Sequence, residues 1–328
     1  MTPITVGLDD ITFVGSGLSR PECVLCTPAG DLYIVQRGAG VTHLTPDGHQ
    51  TTIGDTAQID GKDWVPNGLD FAPDGGFLVA NMGEGGGVWH LARNGTVTPW
   101  LLEVDGEDLP KANFVFTDHL GRIWVTMSTR SVPITLAMTG LGQPERADGF
   151  ICLIDDKGAR IVADGLTFTN EARLDRAGDY LYVAETFGRR ISRFRVAADG
   201  SLSDRETFAT FGHGTFADGI AFDEEDCLWV TSVLSNRLFR ITPDGTQHLL
   251  LEDADAADID KAETSLAEGL VERPLFSERR GRTLGNIASV AFGGSDLRTV
   301  YLGSLGGTSL AVFRSPVAGL PLGHWRNL

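Results

Sequence analysis

The chain has 328 residues, with 44 Asp and Glu against 27 Lys and Arg, for a formal net charge of −17. A balance this acidic argues against nucleic acid and anionic membranes as partners. No apolar run reaches membrane-spanning length, and the N-terminus (MTPITVGLDD) has no basic segment leading into an apolar one, so a cytoplasmic protein is expected.

Residues 1–20 hold one strand candidate, Ile11–Val14. A pattern then begins that the chain repeats: an acid or amide, an apolar strand, a turn rich in Asp and Gly, a second strand, a polar turn and a third strand. The copies start at Glu22 (ECVLCTPAGDLYIV), Asn67 (NGLDFAPDGGFLVA), Asn113 (NFVFTDHLGRIWVT), Asn170 (NEARLDRAGDYLYVA) and Asp218 (DGIAFDEEDCLWVT), with a degenerate sixth at Ser289 (SVAFGGSDLRTVYL). Successive starts differ by 45, 46, 57, 48 and 71 residues. A period near 45 with several strands per unit is the signature of a propeller, because three strands cannot bury both faces and must stack on copies of themselves. The expected fold is all-β: a six-bladed propeller forming one domain over 1–328, its ring closed by the N-terminal strand pairing with the last blade. The 41 glycines suit a chain with a hairpin at every turn.

Two insertions interrupt the repeats. Residues 127–149 follow the second strand of the third repeat and carry Ile134, Leu136, Met138 and Leu141. Residues 252–285 link the fifth repeat to the sixth. Within them Asp258–Val271 places Ile259, Ala262, Leu266 and Leu270 at helical spacing, which predicts the one sizeable helix. Cys23 and Cys26 have CxxC spacing, but positions i and i+3 of a strand face opposite sides and no second pair follows. All four cysteines read as buried thiols.

The starting residues Glu22, Asn67, Asn113, Asn170, Asp218 and Ser289 share one register, expected one position before each innermost strand. For Asn67-Gly68 or Asp218-Gly219 alone, turn chemistry is the simpler reading. In a ring of blades, however, equivalent inner positions converge on the axis. Glu22 and Asp218 would then face each other among amide oxygens, poorly solvated and mutually repelling unless a cation joins them. A column of oxygens without His or Cys selects a hard divalent ion, calcium before magnesium or manganese, with zinc a further alternative.

On these copies, and on the tail Phe292-Gly-Gly, Tyr301-Leu-Gly and Val317-Ala-Gly-Leu-Pro, the sequence resembles the senescence-marker-protein/gluconolactonase (regucalcin-like) family of six-bladed propeller lactonases. It is more distantly similar to the diisopropylfluorophosphatase and paraoxonase propellers. The resemblance covers nearly the whole chain and implies one divalent cation on the axis, usually calcium, held by Glu22, Asn170 and Asp218. It further implies that Asn113 completes the metal shell or contacts substrate. Lys111 stands where lactonases of the family often carry an arginine for substrate oxygens. Two departures concern the pocket: Glu22-Cys23-Val24 replaces the usual Glu-Gly-Pro, and Asn170-Glu171-Ala172 the usual Asn-Gly-Leu.

The resemblance implies hydrolysis of lactones or related cyclic esters, with Asp218 and Lys111 as catalytic candidates and Asn113, Lys111 and Asn67 as substrate contacts. Glu185 and His213 are reserve bases, each also readable as a solvated surface residue. No Ser or Cys sits in a nucleophile-elbow pattern. The two insertions are expected to cover the metal face and favour a small-molecule substrate less hydrophilic than an aldonolactone. Two other readings stay open: a non-catalytic propeller that binds a small molecule or protein, and an organophosphate or ester hydrolase at the same site.

Overall fold

The computed structural model describes residues 2, 4–131, 134–139, 143 and 146–326, the side chain of Arg326 excepted. Six four-stranded antiparallel sheets form the blades. Blade 1 comprises Val24–Cys26, Leu32–Gln36, Gly40–Leu44 and Gln50–Ile53, and blade 2 begins with Pro66–Phe71 and Phe77–Asn81. The innermost strands of blades 3 to 6 are Ala112–Thr117, Thr169–Leu174, Thr215–Phe222 and Ile287–Gly293. Blade 6 takes its outermost strand, Thr12–Val14, from the other end of the chain, pairing Thr12 with Val312, Phe13 with Ala311 and Val14 with Leu310. The expected closure is therefore present.

Burial falls from the axis outward, and composition follows it. Thr215–Phe222 is buried at every position, whereas the outermost strand of blade 4, Leu202–Thr210, is largely exposed. The apolar core is a series of blade-to-blade interfaces, such as Val35, Val79, Phe114 and Val183 across blades 1 to 4 and Trp229, Leu238, Val290 and Phe313 across blades 5 and 6. The turn aspartates of the repeats are structural. Asp118 accepts from Leu120 N, Arg122 N and Trp124 Nε1 (2.8–3.0 Å), and Asp223 in the same way from Glu225 N, Cys227 N and Trp229 Nε1. Each ties a hairpin turn to the tryptophan that follows it.

Glu22 lies two residues before its innermost strand, Val24–Cys26, but the other column residues do not precede theirs. Asn67, Asn113, Asn170 and Asp218 lie inside them, and each falls where the ladder shifts register: between Pro66 and Leu69, Ala112 and Phe114, Thr169 and Ala172, and Ala217 and Ile220. A bulge leaves one residue unpaired and re-aims its side chain, here towards the axis. Gly68 and Gly219 are not turn residues either. A Cβ on Gly68 would lie 2.5 Å from Phe114 Cα, and one on Gly219 2.5 Å from Ser289 Cα, so glycine lets neighbouring inner strands close together.

The predicted helix spans Ala256–Ala267, and Asp255 caps it by accepting from Ala257 N and Asp258 N. It ends before Leu270, which is 59% exposed and not part of the apolar stripe, because Gly269 takes φ +72° just beyond the last turn. In the other insertion Ile134 and Met138 are buried and Leu136 is exposed; Leu141 lies outside the described residues. Cys23 and Cys26 pack into separate clusters, and all four thiols are free and buried.

Candidate functional site

With four of them placed by bulges, all six column residues are buried at the inner edge of the ring, each 5% exposed or less. Asn67 Nδ2 donates to Glu22 Oε1 (2.8 Å) and to Asn113 O (2.9 Å), linking blades 1, 2 and 3. Asn67 thus belongs to the column. Ser289 donates Oγ–H to the Glu22 carbonyl, joining blade 6 to blade 1.

Two hydroxyls orient the other amides. Asn113 Nδ2 donates to Ser128 Oγ (3.0 Å) and Asn170 Nδ2 to Thr186 Oγ1 (3.1 Å). This leaves Asn170 Oδ1 free, while Asn113 Oδ1 accepts a long bond from Asn67 Nδ2 (3.4 Å). Ser128 and Thr186 went unnoticed in the sequence, yet both immediately follow second strands (Ile123–Met127 and Tyr180–Glu185). That shared position was a legible signal.

Among the described residues, several axial oxygens have nothing to accept. Asn67 Oδ1, Asn170 Oδ1 and Asp218 Oδ1 are buried and receive no hydrogen bond. Glu22 Oε2 also accepts none, although Arg20 Nη1 stands 2.5 Å away as an ion partner. Arg20 is a protein counter-charge that the sequence reading lacked. It serves Glu22 and leaves Asp218 without a direct ion pair. Burial, then the Glu22 and Glu171 charges, push the Asp218 carboxyl well above its ordinary range, against the opposing effects of Arg20 and an Asn170 hydrogen bond. Burial likewise raises Glu22, and Arg20 and Asn67 pull it back.

Glu171, the departure from the family's glycine, is a further buried carboxyl. It accepts from Ile220 N (3.2 Å), and burial raises it to about 7. Among the described residues no three His, Cys, Asp or Glu side chains gather as a metal-binding group, so the candidate donors are two acids and the amides. Buried oxygens left without donors, acids raised by burial and the absence of nitrogen or sulfur donors are the chemistry that a hard oxygen-loving cation satisfies. The residues fit such an ion.

Other candidates stand elsewhere. Lys111 Nζ donates to Met82 O (3.2 Å) and Gly83 O (3.0 Å), so it fastens a blade 2 turn instead of reaching into the column. Glu185 is neither a free base nor a solvated surface residue. It is fully buried and accepts from Thr167 N and from Ser192, Arg190 and Arg205 on the two following strands of its own blade. His213 is largely exposed beside Asp260, 3.7 Å away.

Above the column the two insertions meet. Ile134, Ala137 and Met138 from the first and Ile259, Ala262 and Phe276 from the second share one apolar cluster with Phe187 and Phe216 of the ring. Phe276 packs edge-on against Phe187 (5.1 Å) and Phe216 (4.9 Å). Glu263 pins the helix to the ring, pairing with Arg189 (2.6 Å) and accepting from Gly214 N (2.6 Å).

Comparison with known proteins places this architecture. A 6-deoxy-6-sulfogluconolactonase from Pseudomonas putida is 26% identical over 235 residues, which are 70% of this chain and 65% of that protein, so the match spans just under two thirds of the relative. A gluconolactonase structure from Xanthomonas campestris superposes with a TM-score of 0.65 at 18% identity, covering 93% of this chain and 89% of its own. The calcium-binding protein regucalcin from Agrobacterium tumefaciens superposes at 0.66 and 15% identity, covering 94% and 96%. The family model for the SMP-30/Gluconolactonase/LRE-like region matches residues 20–252, and the chain belongs to that family.

Proposed function

We propose that the protein hydrolyses lactones or related cyclic esters with one divalent cation, calcium foremost, held on the axis by Glu22, Asn170 and Asp218, with Asn113 beside them. The observation that carries this reading is the set of buried axial oxygens without hydrogen-bond donors. A ring that served only as a scaffold would satisfy or omit them. The family and the lactonase among its relatives support the same chemistry.

When bound, such an ion polarises an ester carbonyl and stabilises the oxyanion that water attack creates. The chain's own residues supply the rest. Asn67 and Asn113, held in register by Glu22 and Ser128, present their amide oxygens to substrate hydroxyls. The carboxylate oxygen of Asp218 left free by the ion would accept the proton of the attacking water. Lys111 gives two N–H groups to the Met82 and Gly83 carbonyls and keeps the third for a substrate oxygen. The apolar roof over the column excludes bulk water and favours a substrate with an apolar substituent.

Metal analysis of purified protein, followed by a lactone and ester panel with and without chelator, tests the proposal. Hydrolysis should vanish on chelation and return with calcium. Full turnover in a metal-stripped sample would overturn it.

A further inference from the structure

At the other end of the inner strands, away from the column, lies a cavity of about 280 Å³. It is roughly twice the size of an apolar cavity that takes benzene, about 150 Å³. Apolar side chains from five blades line much of it: Leu25, Leu69, Phe116, Phe222, Val290 and Phe292. The C-terminal segment Leu320–His324 forms one side, anchored by His324 Nε2 on the Cys26 carbonyl (2.9 Å). Exposed His119, Arg176 and Pro321 mark its opening to solvent.

One charged group inside this cavity is left with hydrogen-bonding capacity to spare. Arg173 lies over the rings of Phe114 (4.4 Å) and Phe116 (5.6 Å), its side chain only 12% exposed. It donates no hydrogen bond among the described residues, and its Nε is buried without a partner. Its one ion contact, Glu171 at 3.9 Å, is beyond hydrogen-bond length. The acids on the same wall are already engaged. Asp118 is occupied by Arg122 and Trp124, Asp175 by Asp179 N and Tyr180 N, and Asp70 by Phe71 N and Thr117 N, with His324 at 3.8 Å. The remaining demand in the cavity is for an acceptor that can take a planar guanidinium fork, joined to a body that fills an apolar bowl.

We infer that this far mouth of the ring is a second small-molecule site, which takes an amphipathic monocarboxylate with its head on Arg173 and its apolar body against Leu25, Leu69, Phe222 and Phe292. Arg173 stacked on two aromatic rings is pre-organised for a bidentate carboxylate. None of the column residues lines this cavity, and the inference stands whether or not a cation is bound on the axis.

Calorimetric titration of the full chain in calcium-free buffer tests this, with octanoate as probe and octanol and acetate as controls for head and tail. One octanoate should bind, at least about tenfold tighter than either control. Arg173→Gln should weaken it by about tenfold or more. Leu322→Trp, a change on the C-terminal segment at the cavity rim that leaves the blades untouched, should do the same if Arg173→Gln fails to fold. Asp218→Asn should leave octanoate binding unchanged. Absence of binding at millimolar octanoate, equal affinity for octanol, unaltered binding in both cavity variants, or loss of binding in Asp218→Asn would each overturn the inference.

Discussion

Asn67 gives a hydrogen bond to Glu22 Oε1 at 2.8 Å, while its own Oδ1, buried beside the axis, receives none. The two residues are joined across the gap between blades 1 and 2, and the pair still ends in an unused acceptor. An amide placed only to hold the blades together would have both ends satisfied, because an unmet buried acceptor costs about 1–3 kcal/mol. The column is arranged around something that accepts no hydrogen bonds and attracts oxygen.

Substitution within the column should therefore separate stability from activity. Asp218→Ala, Asn170→Ala and Asn113→Ala are each expected to lower kcat by more than about 10²-fold, as loss of several kcal/mol of charge stabilisation requires. In metal-stripped samples Asp218→Asn should melt higher than the unchanged protein, since it removes a desolvated acid. Steady-state kinetics and circular-dichroism melts check both halves.

The raised carboxyls give the stripped protein a distinctive pH response. Asp218, Glu22 and Glu171 bind protons more tightly folded than unfolded, so stability should fall as pH rises from the ordinary carboxylate range through about 7, the value for Glu171. Calcium should flatten the profile by stabilising the ionised forms. Glu171→Gln should shrink the fall in the stripped protein. Melting temperatures between pH 4 and 8, with and without calcium, read this directly.

Closure of the ring rests on a strand of three residues. Deleting residues 1–18 removes the ladder with Leu310–Arg314 and exposes the edge of blade 6. The melting temperature should drop by roughly 5 °C or more. An unchanged melting curve would show that the closure carries no stability.

Much of this was legible in the chain because a propeller writes its register repeatedly. The acid or amide of Asn113 and the Trp124 that follows recur in Asp218 and Trp229, so periodicity revealed both the inner strands and the column. What repetition does not carry was misread. Glycine at 68 and 219 looks like turn chemistry in sequence, but the close approach of Phe114 and Ser289 decides it. Glu185 looked available because its pairing with Arg190 and Arg205 exists only once the strands of blade 4 lie side by side, and the two carbonyls that take Lys111 N–H groups come from another blade. Arg20 escaped notice because it lies outside the repeated unit, two residues before Glu22.

The roof predicts selectivity. With Phe276 wedged between Phe187 and Phe216, and Met138 in the same cluster, lactones with an apolar substituent should be hydrolysed with higher kcat/KM than sugar lactones. Trimming residues 131–147 should reduce that preference by opening the site to water. Highest activity on sugar lactones, indifferent to the trimming, would remove the roof from the mechanism.

Calcium titration of chelator-stripped protein by calorimetry bears most directly on the axial site. One calcium ion per chain should bind in the unchanged protein, and binding should be lost in Asp218→Ala and strongly weakened in Asn170→Ala. A protein that binds no divalent cation, or binds one equally well in both variants, would contradict the shared axial ion and the hydrolase built on it.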